Sequence, residues 1–498
     1  MHVGKRVAEF AIAAAVVAAA GATTVLVYRG SGHDPAVLSF WAFTAVVLLW
    51  GLLSHVADSG RYRKLPVAPG RVLAIIPAYN ETTGALHATV EAVLRQTIAC
   101  DIIVVDDGSV NPLDAFRNPR VRWVRQPNGG KRAAQVTALY ATERGDYEFI
   151  LTVDSDSEPY PDALEQLLRA MSDPQVWAAT GWVHTRNYTD NWVARCADLD
   201  IGTALVMNRS SRTQLGALET VSGALSVYRA ELLWDESERY LADGEGAGDD
   251  HWLTSRAVLR GKVVGVKDAL VDTDMPTQVR RTYQQRERWC RSTYLMARFS
   301  ITQYRWVRLL PVLVDFVYLV TAPLCLTATV VAVGYSAARG QDFVGISLAD
   351  VAAFLTLAVI AKLGLSGLYL LRRPRMSVGQ KLLSMLAAAT ILFIFGVFAV
   401  TLPRYGSLLR LRRVAWATRE LKGVVPLPPQ PRRSAEHVPR RARTTGAIPP
   451  SVIRDAVQAR TAVPAPRRRR DLNSTAVLDF VEIQGRLKNP TDKRQSPP

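Results

Sequence analysis

The sequence predicts an α/β domain, a mainly parallel sheet with helices on both faces, bracketed by apolar segments long enough to cross a bilayer. Two observations carry this prediction. Short β-branched runs alternate with helix-like stretches through the middle of the chain, the pattern of parallel strands joined by crossover helices. Hydrophobic residues make up 49% of the 498, but they gather in long runs near the two ends and leave an ordinary middle.

The strands come first. Residues 72–77 (VLAIIP), 102–105 (IIVV) and 149–153 (FILTV) show no polar alternation and read as strands buried on both faces. Leu86–Gln96, Lys131–Thr142 and Pro161–Met171 lie between or after them and read as helices. No internal repeat is visible.

The apolar runs come next. Phe10–Tyr28 and Pro35–His55 precede the middle domain; Leu309–Tyr335, Leu348–Leu371 and Leu382–Leu402 follow it. Each is near the ~20 residues a bilayer's hydrocarbon core requires. The first also resembles a cleaved signal peptide after Lys5 and Arg6. The second run, followed by Arg61, Arg63 and Lys64, favours a retained hairpin with its basic flanks in the cytosol. Five full crossings would leave the Arg-rich tail outside, so Leu382–Leu402, with Pro403 at its end, is expected to be re-entrant or interfacial. Tyr294, Arg298, Phe299, Tyr304, Arg305, Trp306 and Arg308 mix rings and cations, as in a helix lying at the headgroups or on a protein surface. These signals divide the chain into a transmembrane hairpin (1–64), a cytosolic domain (65–289), an interfacial segment (290–308), a second membrane region (309–426) and a Pro/Arg-rich disordered tail (427–498).

Charge follows the same division. The formal net charge is +17, and residues 404–498 hold 21 Lys/Arg against 7 Asp/Glu. A basic tail beside a membrane faces anionic lipid, and with no nucleic-acid module in the sequence no nucleic-acid partner is expected. Cys100, Cys196, Cys290 and Cys325 form no CxxC pair and have no histidines at zinc spacing, which excludes a disulfide framework or a zinc cluster and suits a reducing compartment.

The chemistry sits where the strands end. The first strand runs into AYNE (Ala78–Glu81), the second into DDGS (Asp106–Ser109) and the third into DSDS (Asp154–Ser157). In open α/β sheets ligands bind at the carboxyl ends of the strands, so these turns should meet in one crevice. Asp154 and Asp156 can share one Mg2+ or Mn2+, which would let a diphosphate approach carboxylates that otherwise repel it; they could equally cap the helix near Pro161. Lys131 follows two glycines and opens a helix, a place suited to phosphate or simply a turn and helix start. GDD (Gly248–Asp250) offers either a general base or an N-cap for the helix that follows. In QRERW (Gln285–Trp289) an Arg could neutralise a departing diphosphate and a Trp could face a sugar; an amphipathic helix face would look the same.

Taken in order, AYNE, DDGS, GKR, DSD, SGALSVYR (Ser222–Arg229), GDD and QRERW resemble the processive family-2 glycosyltransferases. SGALSVYR, GDDHWLT and TVDSDSEPYPDALEQLL are particularly similar to hyaluronan synthases and nodulation-type chitin synthases, and WATR (Trp416–Arg419) resembles the WGTR found there. Val221 and Ala224 stand where cysteine and proline are usual, and Ala417 where glycine is.

The resemblance implies a GT-A-like fold and an inverting synthase. It would polymerise a β-linked, GlcNAc-containing polysaccharide from UDP-sugars, UDP-GlcNAc foremost, and export it through its transmembrane helices. A non-processive transferase adding one sugar to a lipid carrier is the alternative. It implies that Tyr79, Glu81 and Asp107, with Asp106 beside them, hold the uridine and that Lys131 and Asp154 serve the nucleotide sugar. Asp156 and Asp154 would bind the metal, Asp250 would be the base, and Gln285, Arg288 and Trp289 would form QxxRW by the diphosphate and the acceptor end. It also implies a multi-pass protein of the cell membrane, with the catalytic domain and tail cytoplasmic.

Overall fold

The computed structural model describes residues 2–30, 35–58, 60–243, 248–339 and 348–411. WATR and the basic tail lie outside the described residues.

An eight-stranded sheet organises the middle of the chain: β1 (Val72–Ala78), β2 (Asp101–Asp106), β3 (Val121–Arg125), β4 (Phe149–Thr152), β5 (Ser157–Pro159), β6 (Val176–Thr185), β7 (Ser226–Arg229) and β8 (Lys262–Thr273). Their order is β3-β2-β1-β4-β7-β6-β8-β5. The three strands foreseen are β1, β2 and β4. They pair in parallel, with Ala78 beside Asp106 and Ile75 beside Thr152, so their carboxyl ends share one edge.

The sheet is mixed, not mainly parallel throughout. β7 runs against β4 and β6, and β5 runs against β8. β5 follows the Asp154–Asp156 turn with no crossover helix and does not pair with β4, but lies at the opposite edge of the sheet beside β8.

Both faces are covered. α3 (Thr83–Leu94), α5 (Ala163–Met171) and α6 (Trp192–Ala204) pack on the face reached by Val72, Ala74 and Ile76. α4 (Lys131–Tyr140), α8 (Ala230–Ala242) and α9 (Asp249–Arg260) pack on the face reached by Leu73 and Ile75. Successive side chains of one strand thus enter two different cores, which is why every β1 residue is buried and the run carries no polar alternation. The caps are local: Thr82 accepts from the Ala85 amide at the start of α3, and Asn191 from the Ala194 amide at the start of α6. A π-helical turn, Leu205–Arg209, joins α6 to α7 (Ser210–Leu215).

The apolar runs are helices: α1 (His2–Gly30), α2 (Pro35–Ala57), α11 (Trp306–Arg339) and α12 (Leu348–Leu371). Among the described residues one stretch, Gly4–Thr23, is long and apolar enough to cross a membrane by length and composition. α1 packs along α12, and a Cβ on Gly364 would fall 2.1 Å from Val16 Cγ2, so the two backbones approach where no side chain fits. At the end of this contact Arg372 reaches Glu9 at 2.7 Å.

Two boundaries differ from the sequence reading. α10 (Val279–Gln303) runs unbroken through QRERW and most of the expected interfacial segment, so the chain has no joint at residue 289. Nothing between those ends is Gly or Pro, so nothing terminates the helix. The run 382–402 is also not one element. α13 (Val378–Thr390), capped by Ser377, leads to α14 (Leu392–Phe395), a π-helical turn (Gly396–Thr401) and α15 (Leu402–Leu409). Pro403 is the second residue of α15 and follows directly on the π-helical turn instead of ending the run.

Candidate active site

The DDGS turn is held together by backbone donors. Asp106 is 1% exposed and accepts from the Ser109 and Leu113 amides and from Arg125 Nη1 at 2.9 Å. Its carboxylate is spent inside the fold, where it ties the turn to Arg125 of β3. Asp107 Oδ1 accepts from Gln126 Nε2 at 2.6 Å and from the Gly129 amide at 2.9 Å, while Oδ2 accepts from the Gly130 amide at 2.8 Å. Burial outweighs these donors and pushes the Asp107 carboxyl up to about 6. A carboxylate has about four acceptor positions, so Oδ2 keeps one open.

These bonds anchor the NGG loop and set the start of α4. Gly130, its N-cap, has φ +85°, a backbone that favours glycine. Gly108 has φ +74° and lies so close to the Asn128 amide that a Cβ would fall 2.5 Å from it. The AYNE turn is stitched to the same place: the Asn80 amide donates to Ser109 Oγ, and the Val110 amide to Asn80 Oδ1. Glu81 accepts from Ser155 Oγ of the DSD turn at 3.4 Å, and Tyr79 sits half-buried just past β1.

Lys131, so placed, joins two acidic motifs. Its Nζ lies 2.7 Å from Asp154 Oδ1 and 2.8 Å from Asp249 Oδ2. Desolvation disfavours this ammonium, but Asp154, Asp249 and Asp250 outweigh it and hold its pKa well above the usual lysine range. Asp249 is held below the usual carboxylate range: burial opposes ionisation, but Lys131 prevails. Asp250 is left over. Burial, then the Asp249 carboxylate, push it up to about 7, against the pull of Lys131. Its Oδ1 accepts from the His251 amide at 2.8 Å.

Asp156 stands on the other side of Asp154. Burial, followed by Asp154 and Asp274, pushes its carboxyl up to about 6. Thr273 Oγ1 on β8 approaches it at 3.4 Å, and Arg186 pairs with Asp274 next to it. The capping alternatives fall away here. The N-cap of α5 is Asp162, and that of α9 is Gly248.

Among the described residues no three His, Cys, Asp or Glu side chains surround a common point. A divalent cation at Asp154 and Asp156 would therefore complete its shell with phosphate oxygens and water, the usual arrangement for Mg2+. The residues present fit such an ion, because Asp156 carries the charge excess that a cation relieves.

QRERW lies on α10, which packs against α9. Trp289 is 45% exposed, and one ring face is covered by the Arg286 guanidinium at 4.3 Å from the centroid. Arg286 is itself buried and paired with Asp200 of α6 at 2.9 Å. Arg288 is half-buried, and desolvation with Arg291 nearby lowers its pKa. Gln285 Oε1 is buried and has no hydrogen-bond partner among the described residues.

Two contributors were not singled out from the sequence. Asp249 is the second partner of Lys131, and the acidic doublet was its signal. At Gly223, in the SGALS loop, a Cβ would fall 2.9 Å from Lys131 Nζ and 3.0 Å from Asp154 Oδ2, so the loop lies directly on that ion pair. A glycine among small residues beside a strand was the available hint. The sequence-predicted residues Lys131, Asp154, Asp156 and Asp250 thus share one neighbourhood; Asp107 touches it through the NGG loop, and Asp106 stays behind the turn.

Residues 73–236 match the family described as Glycosyl transferase family 2. The chain is 35% identical over 276 residues to a hyaluronan synthase of Streptococcus pyogenes, a match spanning 51% of this chain and 65% of the relative. It is 34% identical over 243 residues to an N-acetylglucosaminyltransferase of Sinorhizobium fredii, spanning 46% of this chain and 58% of that one. In each case the match spans less than two thirds of the relative's length. A solved mannosyltransferase from Pyrobaculum calidifontis, in complex with GDP-Man and Mn2+, aligns at 18% identity and a TM-score of 0.45, covering 72% of this chain and 96% of that one, a likeness too coarse to carry residue roles. The strand-end carboxylates gathered around Lys131 thus lie in and beside a stretch, residues 73–236, that matches the Glycosyl transferase family 2 model, in a chain similar over about half its length to a synthase and a transferase.

Proposed function

We propose that this enzyme is a membrane-embedded, inverting, processive glycosyltransferase that builds a β-linked, GlcNAc-containing polysaccharide from UDP-sugars and exports it. One observation carries the reading: Lys131 joins Asp154 of the DSD turn to Asp249 of GDD, with Asp250 left as the unneutralised carboxylate beside them. A diphosphate and a hydroxyl acceptor need those groups together.

The roles follow from the surroundings. Asp107 offers its open acceptor position to a uracil N–H, with Tyr79 and Glu81 along the same edge. Lys131 releases its carboxylates to meet the diphosphate. Asp154 and Asp156 hold Mg2+ or Mn2+, which would neutralise phosphate charge. Asp250, with a pKa near 7, is suited to take the proton of an acceptor hydroxyl as that oxygen attacks the anomeric carbon opposite the leaving UDP. Trp289, with its inner face braced by Arg286, presents the outer face to the acceptor sugar, while Arg288 and Gln285 Oε1 supply charge and an acceptor nearby.

Processivity and export are supported by α10 leading straight from this site towards α11. A cleft of about 590 Å³ lies between α10, α11 and α15, lined by Tyr283, Thr327, Val331, Leu402, Tyr405 and Leu409. The bilayer is supported by the exposed apolar side chains of α1 (Phe10, Val25) and α13 (Leu382, Leu386), whose opposite faces pack on protein. On this reading α13 is an interfacial helix and the family 2 domain faces the cytosol, where the nucleotide supply is.

The test is direct. Purified protein with labelled UDP-GlcNAc and Mg2+, with and without UDP-glucuronate, should give a long polymer that linkage-specific β-hydrolases digest. A single sugar on an extractable lipid would replace processivity with lipid-carrier transfer. No consumption of any UDP-sugar would end the reading.

A further inference from the structure

α9 starts at Gly248 with no side-chain cap of its own. The Gly248 amide instead donates to Ser292 Oγ of α10 at 2.9 Å, and the same oxygen lies 3.2 Å from His251 Nδ1. A hydroxyl that accepts from an amide keeps a second lone pair and its own proton, so Ser292 can bond Nδ1 in either tautomer of the ring. The other ring nitrogen, Nε2, faces Glu219 Oε1 at 4.0 Å. The ring is neutral because burial drives its pKa down to about 4. Glu219 hydrogen-bonds Asp315 of α11, and Arg212 of α7 pairs with Asp315.

Ser292, His251 and Arg212 of this chain are buried, and such groups cost stability unless each is satisfied and fixes a geometry. What it fixes is the turn bearing Asp250. The backbone amide of His251 holds the Asp250 carboxylate, while its side chain holds Ser292. Ser292 stands three residues past Trp289 on α10, so the two share a helix face.

We propose that Ser292 and His251 are positioning residues that pin the GDD turn to α10, so that the base and the acceptor-facing tryptophan hold one fixed separation. The inference rests on the reading of Asp250 as general base. Without the Ser292 hydroxyl, the first turn of α9 loses its anchor and Asp250 loses its aim. The donor side, built from Asp107, Lys131 and Asp154, stays intact.

The experiment compares Ser292→Ala, Ser292→Thr and Asp250→Asn in the full-length protein. Three things are measured: kcat against donor KM, the ratio of UDP released to sugar transferred, and amide exchange over residues 248–254. Ser292→Ala should lower kcat about 10–100-fold, the scale of a small misplacement of a reacting group. Donor KM should be unchanged, the UDP-to-transfer ratio higher and exchange at 248–254 faster. Ser292→Thr, which keeps the hydroxyl, should restore all three. Wild-type kcat in Ser292→Ala, or unaltered exchange, overturns the proposal. So does a joint loss of kcat and KM that threonine does not rescue. Full turnover by Asp250→Asn would instead remove the base assignment, and the exchange measurement would still decide whether Ser292 holds the turn.

Discussion

The two acidic turns that look most alike in the sequence, DDGS and GDD, are built on opposite principles. In DDGS every carboxylate is answered by N–H donors: Asp106 by two amides and Arg125, Asp107 by two glycine amides and Gln126. In GDD two adjacent carboxylates face a single ammonium, and only Asp249 captures it. The first arrangement shapes a loop. The second stores electrostatic tension at a point where a reaction can use it, consistent with the clustering of perturbed groups at functional sites. A carboxylate's role is therefore set by the number of donors that reach it, which the local sequence does not specify.

Four experiments would break or sharpen this contrast. The largest effect is expected for Asp250→Asn, which should cut transfer by about 10²–10⁴, the usual worth of a general base. Its melting temperature should not fall, because a repelled buried charge has been removed. A lower Tm with activity retained would put GDD in the same class as DDGS.

Chelation comes second. Excess EDTA should abolish turnover reversibly, Mg2+ or Mn2+ should restore it, and the ions should raise the Tm of the wild type but not of Asp156→Ala. Undiminished activity in chelator would exclude a metal at the DSD turn.

Asp106→Ala is third and opposite in kind. It strands two buried amides and Arg125, and should cost about 1–3 kcal/mol of stability per unsatisfied group, read from denaturant melts. Loss of activity without loss of stability would contradict a purely architectural Asp106.

The smallest effect is on pH. A base must be unprotonated to act, so kcat should rise with pH through about 7, where Asp250 titrates. Lys131 lowers the Asp250 pKa, so Lys131→Met should move this acid limb to higher pH in the residual activity. An unmoved limb would separate Lys131 from Asp250.

Strands β1, β2 and β4 were legible because they are buried on both faces and read as unbroken β-branched runs, whereas β3, with Arg122 and Arg125 in a partly exposed run, was not. Nor were β6, β7 and β8. β8 crosses a register shift against β6 between Gly181 and Trp182, and its polar residues Lys267, Asp268 and Asp272 serve ion pairs with Asp58, Arg63 and Arg375, far away in the chain. The carboxylate positions were legible as motifs, since a strand end exposes whatever follows it. What could not be read was allegiance. Asp249 and Asp250 are neighbours in sequence, yet one belongs to Lys131, 118 positions earlier, and the other does not. Gly223 and Ser292 matter only through groups brought to them by folding.

α10 sets a limit on how such an enzyme can cycle. Its 25 residues form a strut of roughly 37 Å at the usual rise per residue, with QRERW near one end and no internal hinge. After each bond is made, the newly lengthened product cannot be moved along by flexing between the tryptophan and the rest of this rod. Either the saccharide slides over a stationary rail, or the whole rod shifts as one body and carries its contacts to α9 and α15 with it.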